Sequence, residues 1–217
     1  MSTPEHASSP PPSLRAHRPA FLAAALMAAG ALALLGARLV GRGGREPSRL
    51  GTLPDFRLVE RSGREVGLAD LSGQPWVADF IFTQCAGACP AMTARMARLR
   101  RELPAGVRSV SFTVDPGHDT PATLARYAGG FGADEGWLFL TGPQKDLYDL
   151  STGGFKLAAM EVPADQRDAT GGDGPFLHSS KFVLVDGAGV VRGYYDSTDE
   201  QAVRALVADA RALRAAR

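Results

Sequence analysis

Residues 76–83, WVADFIFT, are β-rich and carry one charge, Asp79. Gly73 and Pro75 lie before the run, and a Gly-containing segment follows it. Such a run reads as a buried central strand, which needs cover on both of its faces. That requirement points to a layered α/β domain.

The neighbouring segments agree. Residues 55–59 and 65–68 flank Arg61-Ser62-Gly63 and read as a short hairpin. Residues 90–103 place Met92, Met96, Leu99 and Leu103 at helical spacing, stopped by Pro104. Residues 107–114 read as a second strand. Residues 121–131 read as a helix with Asp119 or Thr120 as N-cap and Pro121 at its start. Residues 136–140 follow as a third strand, 143–151 as a short helix and 155–160 as an edge strand. Residues 161–177 form a polar, Gly-rich loop. Strands at 181–185 and 190–195 are joined by the turn sequence DGAG. Residues 198–214 close the domain as a helix with Ala202, Val203, Leu206, Ala210 and Leu213 on one side. This order matches a thioredoxin-like fold with an N-terminal β-hairpin and an inserted loop.

Ahead of that domain the chain changes character. Residues 1–19 are rich in Pro and Ser without an apolar period and read as a disordered arm. Residues 20–37 carry no charge. As a helix they would extend about 27 Å, close to the roughly 30 Å hydrocarbon core of a bilayer. We read residues 20–40 as one N-terminal transmembrane helix kept as an anchor, because the apolar region of a cleaved signal peptide is usually shorter, about 7–15 residues. Residues 41–52 read as a Gly/Arg/Pro linker, which leaves 53–217 as the folded domain. Arg15 and Arg18 precede the span, while Arg38, Arg42, Arg45 and Arg49 follow it. That count alone would place the domain in the cytoplasm. Long domains translocate regardless of flanking charge, and the chemistry below places this one outside. A net charge of +1 argues against a nucleic-acid partner.

The chain contains 2 cysteines, both in FIFTQCAGACP at residues 80–90. They are too few for a disulfide scaffold or an all-cysteine zinc site. They follow the buried strand and open a helix, where backbone N–H groups and the helix dipole favour thiolate. Positions four apart on a helix have Cβ atoms about 5–6 Å apart. A disulfide wants them nearer, at about 3.5–4.5 Å. Cys85 and Cys89 therefore stand between bonding each other and sharing an ion at metal–sulfur distances of about 2.3 Å. A disulfide here would close a very short loop and remove little chain entropy, so reinforcement of the fold is a poor use for it.

A soft metal site needs a third ligand, and the chain has 4 histidines. His6 and His17 lie in the arm. His118 sits between Asp115 and Asp119 and reads as a turn or salt-bridge residue. His178 lies just before a strand, where loops converge on the sheet's active edge, and one imidazole with two thiolates suits copper. Met92 and Met96 read as core filling under the helix.

Three segments in order resemble the Sco/SenC family of copper-binding thioredoxin-fold proteins: FIFTQCAGACP (80–90), SFTVDPGHDTPATLARYA (111–128) and HSSKFVLVDGAGVVRGYY (178–195). The resemblance implies that Cys85, Cys89 and His178 bind one copper ion, as Cu(I) or Cu(II), and that Cys85 and Cys89 form a redox-active disulfide when oxidised. It implies a domain facing the periplasm from a single pass of the inner membrane. It also implies a partner, the copper-bearing subunit of cytochrome c oxidase, whose dinuclear site would receive copper or have its cysteines reduced; other copper chaperones are further partners. Family members usually have Pro directly after the first cysteine. Ala86 stands there in this chain, a departure that bears on redox potential more than on ligand identity.

The alternative is a thiol–disulfide oxidoreductase of thioredoxin type without copper delivery, against which the missing C-x-x-C spacing counts. A thiol peroxidase ranks last. That chemistry usually places Thr three residues before the reactive cysteine, where this chain has Phe82; Thr83 is two before it.

Overall fold

The structure, a computed structural model, describes residues 47–85, 87–161 and 176–216. The expected arm, the expected transmembrane helix over 20–40, the linker as far as residue 46 and loop residues 162–175 lie outside the described residues. Among the described residues, no helix is long and apolar enough to cross a membrane.

Strand β4 (Trp76–Ile81) is buried at every position, as its composition demands. It pairs in parallel with β5 (Arg108–Thr113), which pairs in parallel with β6 (Trp137–Thr141). On its other side β4 pairs antiparallel with β9 (Lys181–Val185), which pairs with β10 (Val190–Asp196). The hairpin β2 (Arg57–Glu60) and β3 (Glu65–Gly67) lies beside β6. At the opposite edge β1 (Gly51–Thr52) joins β10, giving one 8-stranded sheet in the order β1-β10-β9-β4-β5-β6-β2-β3. A separate 2-stranded ribbon joins β7 (Ala159–Glu161) and β8 (Phe176–His178).

Helices pack against the sheet. Helix α1 (Ala88–Glu102) has Pro90 in its first turn, where a missing N–H costs nothing, and ends just before Pro104. It buries Cys89, Met92, Thr93, Met96 and Leu99, a helical stripe facing the sheet. Helix α2 (Pro121–Gly130) is capped by Thr120, whose side chain accepts from the Thr123 N–H. Helix α3 (Gln144–Asp149) continues into a π turn (Leu150–Gly154), and α4 (Glu200–Ala215) closes the domain. Alternation along β4 sends Trp76 and Phe80 to one face, where Phe80 stacks on Phe112 at 5.2 Å and meets Phe155 edge-on at 5.3 Å. The result is the α/β, thioredoxin-like arrangement expected, with the N-terminal hairpin in place.

Some elements differ from the sequence reading. Gly51 and Thr52, read as linker, pair with Val191 and Val190. The edge strand expected over 155–160 is the shorter β7, paired with β8 and not with the main sheet. Phe176, Leu177 and His178, placed in or beside a loop, form β8. All three elements are short strands with too little alternation to stand out.

Candidate metal centre

After Ile81 the chain leaves the sheet and turns through Thr83 and Gln84 into Cys85, whose N–H donates to the Phe82 carbonyl at 3.4 Å. Gly87, with φ −107° and ψ −106°, caps α1 without a side-chain hydrogen bond. Cys85 therefore stands in the loop and Cys89 in the first helical turn, so regular helical spacing does not govern the pair. The Cys89 N–H, a helix-start donor, donates to Cys85 Sγ at 3.4 Å. Both residues are thiols, not joined by a disulfide. Cys89 is fully buried and Cys85 is 4% exposed.

The helix start was expected to favour thiolate, but at Cys89 desolvation outweighs it. Burial pushes the Cys89 thiol up, and the neighbouring Cys85 and Asp79 add to the shift against an opposing hydrogen bond to the Phe82 backbone. Cys89 is thus held protonated until something replaces the proton, and a soft cation is such a replacement.

Asp79 lies on the face of β4 opposite Phe80, in register with Ser111. It is fully buried, and neither carboxylate oxygen has a partner in hydrogen-bonding geometry. Burial pushes this carboxyl up to about 7, and the nearby Ser111 hydroxyl offsets only part of the shift. Ser111 Oγ already accepts from Trp137 Nε1 at 2.9 Å.

The loop after β5 supplies the next group. His118 Nδ1 lies 2.9 Å from Asp115 Oδ2, the salt-bridge or turn contact expected of it. Asp119 is fully buried and reaches the loop that carries Cys85. It accepts from the Thr83 N–H at 3.1 Å and the Thr83 hydroxyl at 2.5 Å. In the sequence Asp119 reads as a helix cap and as a neighbour of His118. No local signal marks a contact spanning 36 residues. Met92 and Met96 are 2% and 0% exposed within the hydrophobic core, as expected of filling residues.

His178 ends β8, with its backbone opposite Ala159. Ser179 and Ser180 separate it from β9. Because β9 runs antiparallel to β4, with Val183 opposite Ala78, the start of β9 and the end of β4 lie at the same end of the sheet. The His178 backbone thus comes to the end of the sheet from which Cys85 emerges; its side chain, like residue Ala86, lies outside the description. Among the described residues, no group of three or more His, Cys, Asp or Glu side chains could hold a metal ion. The soft donors brought together among the described residues are the sulfurs of Cys85 and Cys89.

The family model for SCO1/SenC matches residues 45–213. The SCO1 protein homolog of Bacillus subtilis (strain 168) is 34% identical over 159 residues, covering 71% of this chain and 78% of that protein. The structure of BsSco, a member of the Sco family of cytochrome c oxidase assembly proteins for which a disulfide switch is identified, has a TM-score of 0.66. It is 32% identical, over 78% of this chain and 96% of its own. Bradyrhizobium japonicum ScoI, solved with copper bound, has a TM-score of 0.59 at 24% identity, over 72% of this chain and 98% of its own, a likeness of fold.

Proposed function

This chain belongs to the SCO1/SenC family, and on that premise we propose that it is a membrane-anchored copper chaperone serving cytochrome c oxidase. Copper is its cargo. The ion is held by Cys85, Cys89 and His178, one per chain, and passed to the dinuclear copper site of the oxidase. Residues 20–40 anchor the domain on the periplasmic side of the inner membrane. The observation that carries this reading is the contact between the Cys89 amide and the Cys85 sulfur. It holds two thiols side by side at a strand-to-helix turn, where departure of both protons leaves a soft, dianionic clamp. A trigonal S₂N donor set favours Cu(I), whereas Cu(II) would want a further N or O ligand.

The same pair supports a second activity, favoured by the disulfide switch of BsSco. Cys85, the less deeply buried residue of the two, attacks a disulfide of the target and forms a mixed disulfide. Cys89 then displaces the target's thiolate. The target gains two electrons and two protons, and the Cys85–Cys89 disulfide forms. Reduction of the acceptor's cysteines by one copy would prepare them for copper from another.

The test is transfer. The full chain loaded with Cu(I) is mixed with the metal-free copper-bearing subunit of the oxidase, and the metal content of each is measured after separation. Copper is expected to move to the subunit. Retention of all copper by the donor, together with reduction of an oxidised subunit, would leave the oxidoreductase reading in its place.

A further inference from the structure

The ladder between β4 and β5 ends where the Val114 N–H donates to the Ile81 carbonyl at 2.8 Å. Beyond it, the chain toward Cys85 is held from outside by a carboxylate. The two oxygens of Asp119 receive the Thr83 N–H and hydroxyl, and Asp119 also accepts from the Thr113 hydroxyl at 2.5 Å. Asp119 is itself fixed. Its N–H donates to the Asp115 carbonyl at 2.9 Å, and the next residue, Thr120, caps α2. The Asp115 N–H donates to the Thr113 hydroxyl at 2.9 Å, so the same hydroxyl closes the loop on itself. A rigid, fully buried acceptor therefore grips the chain two residues ahead of Cys85, while α1 fixes the other end of the segment at Cys89.

We propose that Asp119 is the positioning residue of the cysteine pair: its clamp on Thr83 sets where Cys85 stands relative to Cys89. Two hydrogen bonds from Thr83 to one buried carboxyl are enough to bias the segment between arrangements. The arrangement clamped here is the dithiol one. Release of Thr83 lets Cys85 approach Cys89, so disulfide formation becomes easier and the preorganised grip on a soft ion weakens. The part of this inference that concerns metal rests on the proposed copper site; the part that concerns the thiols does not.

The experiment uses the full chain in three variants: Thr83→Val, which removes the hydroxyl and keeps the shape, Thr83→Ser, which keeps the hydroxyl, and Asp119→Asn. Each is equilibrated with reduced and oxidised dithiothreitol. In this exchange the cysteine pair gives two electrons and two protons to the oxidised reagent and becomes a disulfide. Thr83→Val and Asp119→Asn are expected to shift this equilibrium about fivefold or more toward the disulfide and to weaken Cu(I) binding by a similar factor. Thr83→Ser is expected to stay within about twofold of the wild type. Thermal unfolding checks that each variant folds; if Asp119→Asn does not, Thr83→Val carries the test. A folded Thr83→Val with an unchanged thiol equilibrium would overturn the clamp. A wild-type chain that binds no Cu(I) would instead overturn the copper site and leave the thiol equilibrium to decide the clamp.

Discussion

The backbone amide of Cys89 points at the sulfur of Cys85 across 3.4 Å, so the first helical turn and the preceding loop are joined through the chemistry-bearing atom itself. The two sulfurs are unequal partners. One lies in the loop at the end of the central strand; the other is sealed under α1.

That inequality sets an order of modification. Iodoacetamide at pH 7.5 is expected to label Cys85 before Cys89 in the metal-free, reduced chain, as followed by peptide mass mapping over time. Equal rates at the two positions would contradict the buried placement of Cys89.

Asp79 makes stability depend on pH. Its carboxyl titrates near 7 in the fold, against 3.8 ordinarily. Below about pH 4 the group is protonated in both states and has no effect. Between about pH 4 and 7 the unfolded chain releases a proton that the folded chain keeps, so stability falls as pH rises; above about 7 the fall is complete. Its size is at most on the order of 4 kcal/mol. Asp79→Asn is expected to unfold at higher denaturant than the wild type at pH 8, with a smaller difference, or a reversed one, at pH 5. A difference independent of pH over that interval would show that Asp79 is not the group responsible.

The central strand, the helix under Met92 and Met96, and the closing helix were legible in the sequence because each sustains its period over several turns or pairs. The cysteine pair was legible because strand, turn and helix start adjoin in sequence. Gly51, Thr52 and β8 were not, since a strand of two or three residues is defined by its partner. Asp79 announced itself as the lone charge in an apolar run, yet only the packed sheet shows it without a partner. Asp119 gave no sign of its contact, because Thr83 comes to it through the parallel pairing of β4 with β5.

Arg192 tests the edge of the domain. It is 5% exposed, and its Nε and Nη2 donate to the Pro47 carbonyl at 3.1 and 2.6 Å, while Nη1 donates to Asp186 Oδ2 at 2.8 Å. Burial opposes ionisation of Asp186, but hydrogen bonds from the Val190 N–H, Arg192 and the Ala188 N–H hold its carboxyl below the usual range. Arg192→Ala is expected to cost about 3 kcal/mol. It should also speed amide exchange at Leu50 and Leu53, which donate to Val191 and Gly189, more than at β5. Uniform acceleration along the chain would mean that Arg192 supports the whole domain and not this edge.

The proposed ligand set is tested most directly by the copper content of the full chain after Cu(I) loading and removal of excess metal, for the wild type beside Cys85→Ala, Cys89→Ala and His178→Ala. One copper per wild-type chain is expected, with none in either cysteine variant and a strongly weakened site in His178→Ala. A wild-type chain without copper, or a Cys89→Ala chain that retains a full equivalent, would contradict it.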